Sequence, residues 1–317
     1  MKIGIVGAGK VGSACLISLI MRRVGREIVV VNRRRQRAEG VVTDAQYGAP
    51  LSSTVELTSG DYSDLAGADL IVLTVGINEK TGGAIDRKDP DGRLRLLDSN
   101  AAIYRDVVPR VVSVAPEAVL LVVTDPPDPL ADLARELAGH NRVLSAGTFL
   151  DTLRFRFHLA RELDVNPMFV DAQVLGEHGT SQVFIWTSAR IAGMPLNGFA
   201  AFAGPGAGQV RRRIEDEVRS ANIAIVDDTG ASQIGIGMVV ARIAQAILHD
   251  EKIAIPIGAY QEQFDVTLSL PAIIGRSGVV QVLEPDMTDA ERKALEHSAE
   301  RLREASSRCA SATPLRQ

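Results

Sequence analysis

His178 ends an apolar run, Val174-Leu175-Gly176-Glu177-His178-Gly179-Thr180, and stands between two glycines. An imidazole on a strand end so flanked can approach a ligand closely, and with an unperturbed pKa of about 6.5 imidazole moves protons near neutral pH. His178 is therefore the candidate acid/base, set against the plainer alternative of a hydrogen-bonded structural histidine. Three other stretches carry residue types that could act with it. Gly7-Ala8-Gly9-Lys10-Val11-Gly12 has the G-x-G-x-x-G spacing of a dinucleotide turn, Asp151 and Arg154 stand one helical turn apart, and Arg93 lies in a long loop.

The glycine turn follows a short apolar strand, residues 2–6, and leads into a helical pattern over residues 13–23. In that context Gly7, Gly9 and Gly12 let the backbone approach a pyrophosphate, and the helix start at Lys10 and Val11 offers unpaired N–H groups and a positive dipole. The position about 20 residues on, which reads the adenosine ribose, is usually acidic. Here it is Asn32, followed by Arg33, Arg34 and Arg35. A neutral residue before guanidinium groups suits the 2'-phosphate of NADP. Alternatively the arginines face solvent and Asn32 serves NAD, so the cofactor is NAD or NADP.

These groups need a scaffold, and the chain supplies one. Buried apolar runs at residues 2–6, 27–31, 70–75 and 118–123 alternate with helical stretches such as 102–113, which predicts an α/β fold whose N-terminal part is a doubly wound parallel sheet of Rossmann type. After about Ser145 the texture changes to that of an α+β substrate domain. A helix over 149–163, strands at 171–175 and 183–187, a long helix over 209–226, a glycine-rich start to a helix ending at 249, a hairpin at 266–271 and 279–282, and an amphipathic helix over 286–305 are expected. Thr288 and Glu291 have capping-box spacing. The tail 306–317 is expected to be disordered. The domains divide as residues 1–147, which bind the dinucleotide, and 148–317, which carry the substrate site.

Composition narrows the function. With 317 residues, 46% hydrophobic and 23% charged, the chain can bury a sizeable core, and a net charge of -4 speaks against nucleic-acid binding. Two cysteines without CxxC or HExxH spacing predict neither a disulfide framework nor a metal site and fit a reducing cytoplasm. No charge-free run of about 18 apolar residues predicts a membrane span.

Taken together, Gly147-Thr148-Phe149-Leu150-Asp151-Thr152-Leu153-Arg154-Phe155-Arg156-Phe157, Leu175-Gly176-Glu177-His178-Gly179 and Gly230-Ala231-Ser232 through Ile247-Leu248-His249-Asp250-Glu251 resemble the L-lactate/malate dehydrogenase family. The resemblance implies an NAD(P)-dependent L-2-hydroxy acid dehydrogenase, nearer the lactate than the malate enzymes, assembled as a homodimer or homotetramer. It implies that His178 protonates the carbonyl oxygen of a 2-oxo acid as nicotinamide delivers hydride, that Asp151 orients the imidazole, and that Arg154 forks onto the substrate carboxylate. Arg93, with Arg95 as a neighbouring competitor, matches a mobile-loop arginine that polarises the carbonyl, and Gly76 falls among the cofactor contacts.

Against that family the chain departs at several points. The loop from Gly76 to Arg93 is extended by Asp86-Arg87-Lys88-Asp89-Pro90-Asp91-Gly92. Glu79 stands where the family reads the substrate side chain. It either faces that side chain, favouring a polar or cationic group, or is displaced by the insertion into solvent; a malate-type activity would need Arg87 or Lys88 to fold in. Asp125 replaces an Asn that donates to the substrate oxygen. It is either protonated, or in contact with another substrate group, or an impairment. Ser232 replaces a pocket Thr and leaves slightly more room. Arg156 matches an effector-site arginine, but Asp171 replaces its histidine partner, so sugar-phosphate activation is not expected. A catalytically silent nucleotide-binding member is the alternative to an enzyme.

Overall fold

The computed structural model describes residues 1–52, 54–84, 86, 89 and 91–311, with Glu79, Ala310 and Ser311 described by backbone alone. The first half alternates strand and helix: β1 (Lys2–Val6), α1 (Lys10–Arg22), β2 (Glu27–Val31), α2 (Arg35–Gly48), β3 (Glu56–Gly60), β4 (Leu70–Leu73), α3 (Glu79–Gly82), α4 (Leu97–Val114), β5 (Val119–Val122), α5 (Pro127–Ala138) and β6 (Val143–Ser145). The six strands are parallel and ordered β3-β2-β1-β4-β5-β6, so the order reverses between β1 and β4. Ligands of open α/β sheets bind beyond the carboxyl ends of the strands at such a reversal. Gly7 follows β1 and Thr74 follows β4 there, joined by a hydrogen bond from Thr74 Oγ1 to Gly7 O of 2.9 Å.

The central strands β4 and β5 are apolar throughout because both of their faces are covered. On β4 and β5, Leu70, Val72, Val119 and Leu121 face one side with Leu16 and Leu19 of α1, whereas Ile71, Leu73, Leu120 and Val122 face the other with Val107, Val111 and Leu130 of α4 and α5. This two-residue alternation follows from the pleat.

The second half contains α6 (Phe149–Leu163), β7 (Val170–Leu175), β8 (Val183–Ile191), β9 (Met194–Pro195), α7 (Ala200–Ala203), α8 (Ala207–Thr229), α9 (Ile234–Leu248), β10 (Ile253–Gln261), β11 (Val266–Gly275), β12 (Gly278–Val282) and α10 (Asp289–Ser311). Strands β7, β8 and β9 make a small antiparallel sheet that packs Val174 and Phe184 against Phe155 of α6 and Ile214 of α8. Strands β10, β11 and β12 instead extend the large sheet beyond β6 in antiparallel order, and α9 lies on that sheet through Val240 and Ile243.

Among the elements that differ from those expected are the short β9 and α7, the strand β10 and the end of α10. β10 forms despite Pro256 and Gly258, whose presence weakens a strand signal. The tail is helical as far as Ser311, because Ala305 and Cys309 are buried against α4 and α5; residues 312–317 lie outside the described residues. The capping box forms as its spacing predicts, with Thr288 N–H donating to Glu291 Oε2 at 2.8 Å and Glu291 N–H to Thr288 Oγ1 at 3.3 Å. Among the described residues no single helix is long and apolar enough to cross a membrane.

Candidate active site

A cleft of about 360 Å³ opens at the strand-order reversal, and its walls carry Gly9, Lys10, Val11, Gly76, Asp125, Arg154, His178 and Ser232. Residues 9 to 232 thus meet from both halves of the chain. Of the five histidines only His178 lines this cleft.

The position of His178 follows from how β7 ends. Gly176, with φ of +81°, exchanges backbone hydrogen bonds with Ser269 of β11 at 2.9 and 3.0 Å, which turns the chain out of β7. The N–H of His178 then donates to Asp128 Oδ2 at 2.8 Å. On the other side, α6 is stitched to β7 by the Val174 N–H, which donates to Thr152 Oγ1 at 2.9 Å. That stitch brings Asp151, in the first turn of α6, against the imidazole.

His178 Nδ1 lies 2.5 Å from Asp151 Oδ2. An ionised carboxylate only accepts, so the Nδ1 proton donates to Asp151 and Nε2 is left toward the cleft. The other oxygen, Asp151 Oδ1, accepts from Arg154 Nη1 at 3.0 Å. Burial of Asp151 opposes ionisation, but His178, Arg154 and Arg93 outweigh it and hold the carboxyl well below the usual carboxylate range. Burial likewise draws the Arg154 guanidinium down, while Asp151 opposes that shift.

Arg93 reaches the same cluster. Its Nε lies 3.2 Å from Asp125 Oδ2, and Asp125 Oδ1 lies 3.9 Å from His178 Nε2. Its sequence competitor, Arg95, turns away to pair with Asp89. Asn100 fastens this corner, accepting from Ile77 N–H at 2.8 Å and donating to Asp125 O at 2.7 Å. Glu79 falls in α3, but its side chain, with Arg87 and Lys88, lies outside the described residues. Arg156 pairs with Asp171 at 3.1 Å.

At the other end of the cleft the glycine turn has room for a ligand. A Cβ on Gly12 would lie 1.9 Å from Gly7 O, so only glycine lets α1 sit on the turn, whereas a Cβ on Gly9 would meet nothing within 4 Å among the described residues. The side of Gly9 that faces the cleft is open, and no side chain caps the first turn of α1. A free helix N-terminus over an open glycine accepts an anionic group such as a pyrophosphate. Asn32 is tied into the turn, accepting from Ala8 N–H at 3.1 Å and donating to Arg34 O at 3.0 Å. Arg33 is exposed and outside the cleft lining.

Two residues beside the cleft escaped the sequence reading. Asp128 is buried, accepts from the Ser145 hydroxyl as well as from His178 N–H, and is pushed up to about 7 by burial, against the pull of those hydrogen bonds. An acid in the first turn of α5, just after Pro126-Pro127, was the available signal. Arg37 of α2 lines the cleft, and its Nε donates to Ala8 O at 2.5 Å.

Known proteins share this arrangement's sequence along almost the whole chain. The family model of the lactate/malate dehydrogenase NAD binding domain matches residues 1–145, and that of the lactate/malate dehydrogenase alpha/beta C-terminal domain matches residues 148–312. The L-lactate dehydrogenase of Deinococcus radiodurans is 40% identical over 96% of this chain and 97% of its own length. That of Thermus aquaticus is 41% identical over 97% and 99%, and that of Chloroherpeton thalassium 39% identical over 96% and 98%. A nucleotide-type sheet, a glycine turn open to a ligand, a carboxylate-held histidine over the same cleft and these full-length likenesses agree, and the chain belongs to the lactate/malate dehydrogenase family.

Proposed function

We propose that the chain is an L-2-hydroxy acid dehydrogenase of lactate type, in which reduced nicotinamide supplies hydride to the carbonyl carbon of a 2-oxo acid. The observation that carries the proposal is the His178–Asp151 pair, whose Nε2 faces the cleft that Arg154 also lines. His178 gives a proton to the carbonyl oxygen from Nε2, and Asp151 stabilises the imidazolium that does so. Arg154, planar and largely buried, binds the substrate carboxylate, and Arg93 polarises the carbonyl from the loop side. The glycine turn Gly7, Gly9, Gly12 with Lys10 and Val11 holds the pyrophosphate, Gly76 is a further cofactor contact, and Ser232 lines the substrate pocket.

Asp125 is the unusual member of this set. Its charge offsets that of Arg93, so the cleft carries one positive charge fewer than an Asn there would leave. With the charge of Arg93 offset by Asp125, Arg154 is the cation beside His178 that serves a substrate carboxylate, which favours a substrate with a single carboxylate, as in pyruvate. The loop residues Glu79, Arg87 and Lys88 then choose among side chains.

Asn32 in place of an acid leaves no carboxylate to repel a 2'-phosphate, and NADP use is part of the proposal. The division at residues 147 and 148, cytoplasmic residence and a homodimer or homotetramer complete it. Both cysteines are buried and unpaired, which suits a reducing compartment, and Ile17 and Met21 of α1 with Ile234 and Met238 of the adjoining α9 expose an apolar face for a second copy. Oxidation of NADH and NADPH against a panel of 2-oxo acids with apolar, acidic, amide and basic side chains tests the function. Turnover led by an apolar acid supports the lactate type; cofactor binding without turnover of any acid would mark a silent family member.

A further inference from the structure

Four arginines, at positions 33, 34, 35 and 37, follow β2, and their side chains are not equivalent. Arg35 is committed to the surface of α2, its Nε 3.1 Å from Glu39 Oε1 and its Nη1 2.9 Å from Asp61 Oδ2. Arg33 and Arg34 are exposed and do not line the cleft. Arg37, in the first turn of α2, is exposed as they are but does line it, as Gly9 and Lys10 do.

Arg37 is also anchored. Its Nε donates to Ala8 O at 2.5 Å, while the N–H of the same Ala8 donates to Asn32 Oδ1 at 3.1 Å. The second residue of the glycine turn is thus bracketed by Asn32, which occupies the ribose-reading position, and by the Arg37 guanidinium. With Nε so engaged, the two Nη groups make no hydrogen bond or ion pair among the described residues. A planar fork with its donors unspent, held beside a ribose position that has no carboxylate, has the geometry to take a phosphomonoester.

We infer that Arg37, not Arg33, is the residue that grips the 2'-phosphate of an NADP-type dinucleotide. The inference rests on the proposed dinucleotide site and on its use of NADP. It assigns to Ala8 a scaffolding part, because its carbonyl fixes the direction of the guanidinium. Arg33 then contributes only diffuse charge, screened by salt.

Calorimetric titration of the intact chain with adenosine 2',5'-bisphosphate and with adenosine 5'-monophosphate tests this without turnover. The wild type should bind the bisphosphate about tenfold more tightly, the worth of a charge-assisted fork. Arg37→Ala should remove most of that preference while leaving monophosphate affinity within about twofold, which also reports that the variant is folded; Arg37→Lys should keep part of it. Arg33→Ala should change neither ligand by more than about threefold, the size of an exposed charge effect. An equal loss of both ligands in Arg37→Ala would make Arg37 a contact of the 5'-phosphate and overturn the inference. So would a preference that survives in Arg37→Ala and vanishes in Arg33→Ala, although NADP use would then stand. A wild type that does not distinguish the ligands would remove the NADP reading itself, and the inference with it.

Discussion

Asp125 Oδ2 lies 3.2 Å from Nε of Arg93, so a carboxylate occupies the ground between the loop arginine and His178, whose Nε2 is 3.9 Å from Asp125 Oδ1. An alkoxide developing there would meet two donors and one charge of its own sign. At an effective dielectric near 20, unit charges about 4 Å apart interact by about 4 kcal/mol, and pairing with Arg93 removes part of that.

Asp125→Asn should therefore raise kcat for pyruvate reduction by about tenfold, since roughly 1.4 kcal/mol of that repulsion is relieved and the amide can donate. Steady-state kinetics at saturating cofactor measures it. A fall in kcat would mean that the carboxylate contacts the substrate productively.

Removing the charge from Asp151 should act on rate and stability together. Asp151→Asn is expected to lower kcat by about 10³ to 10⁴, because the imidazolium loses its partner and the tautomer its anchor. The variant should also lose about 3 kcal/mol of stability, since Arg154 is left buried without its ion pair. Because the folded carboxyl lies below its ordinary value, its contribution to stability is full above the unfolded pKa of about 3.9 and is lost as pH falls through the folded value. Urea midpoints between pH 3 and 7 should fall on acidification in the wild type and less so in Asp151→Asn. Parallel curves would remove the assigned linkage.

Asp128 should give the opposite sign. Its carboxyl is raised to about 7 by burial, so the native chain binds a proton that the unfolded chain releases near pH 4. The stability that protonated Asp128 contributes is full below about pH 4, declines as pH rises and is gone above about pH 7. Asp128→Asn should flatten that decline between pH 5 and 8. The comparison is again of urea midpoints, and an unchanged slope in the variant would contradict it.

How much of this was legible in the residues depends on how local each feature is. The glycine turn and the Asp151/Arg154 pair are set by neighbours in sequence, one between a strand and a helix, the other by one turn of α6, and both could be placed in advance. Asp128 could not, because its part is a hydrogen bond to a residue 50 positions away that exists only when α5 and the end of β7 meet. Arg37 stands two positions beyond the run Arg33-Arg34-Arg35 and meets the turn only because α2, in the crossover from β2 to β3, brings its guanidinium to Ala8 O. β10 was hidden by Pro256 and Gly258, which strand propensity penalises although pairing with β11 on one edge and with β6 on the other supports it. The resemblance favoured Arg93 over Arg95, and the geometry gives a reason: Arg93 pairs with Asp125 of the cleft, whereas Asp89 claims Arg95.

Arg154→Lys should separate binding from chemistry. A lysine keeps the charge but not the fork, so KM for the 2-oxo acid is expected to rise about 100-fold, the equivalent of roughly 3 kcal/mol, while affinity for reduced nicotinamide stays unchanged. Kinetics together with fluorescence titration of the cofactor decides this. A KM within threefold of wild type would place the substrate carboxylate elsewhere.

The central claim is that His178 moves the proton that accompanies hydride transfer. It is tested most directly by comparing wild type with His178→Gln in a single-turnover reduction of pyruvate by bound reduced nicotinamide, following cofactor absorbance and proton uptake together. One proton should be consumed per cofactor oxidised in the wild type, and the variant should be slower by about 10³ or more with cofactor binding intact. Equal rates in the two proteins would contradict it.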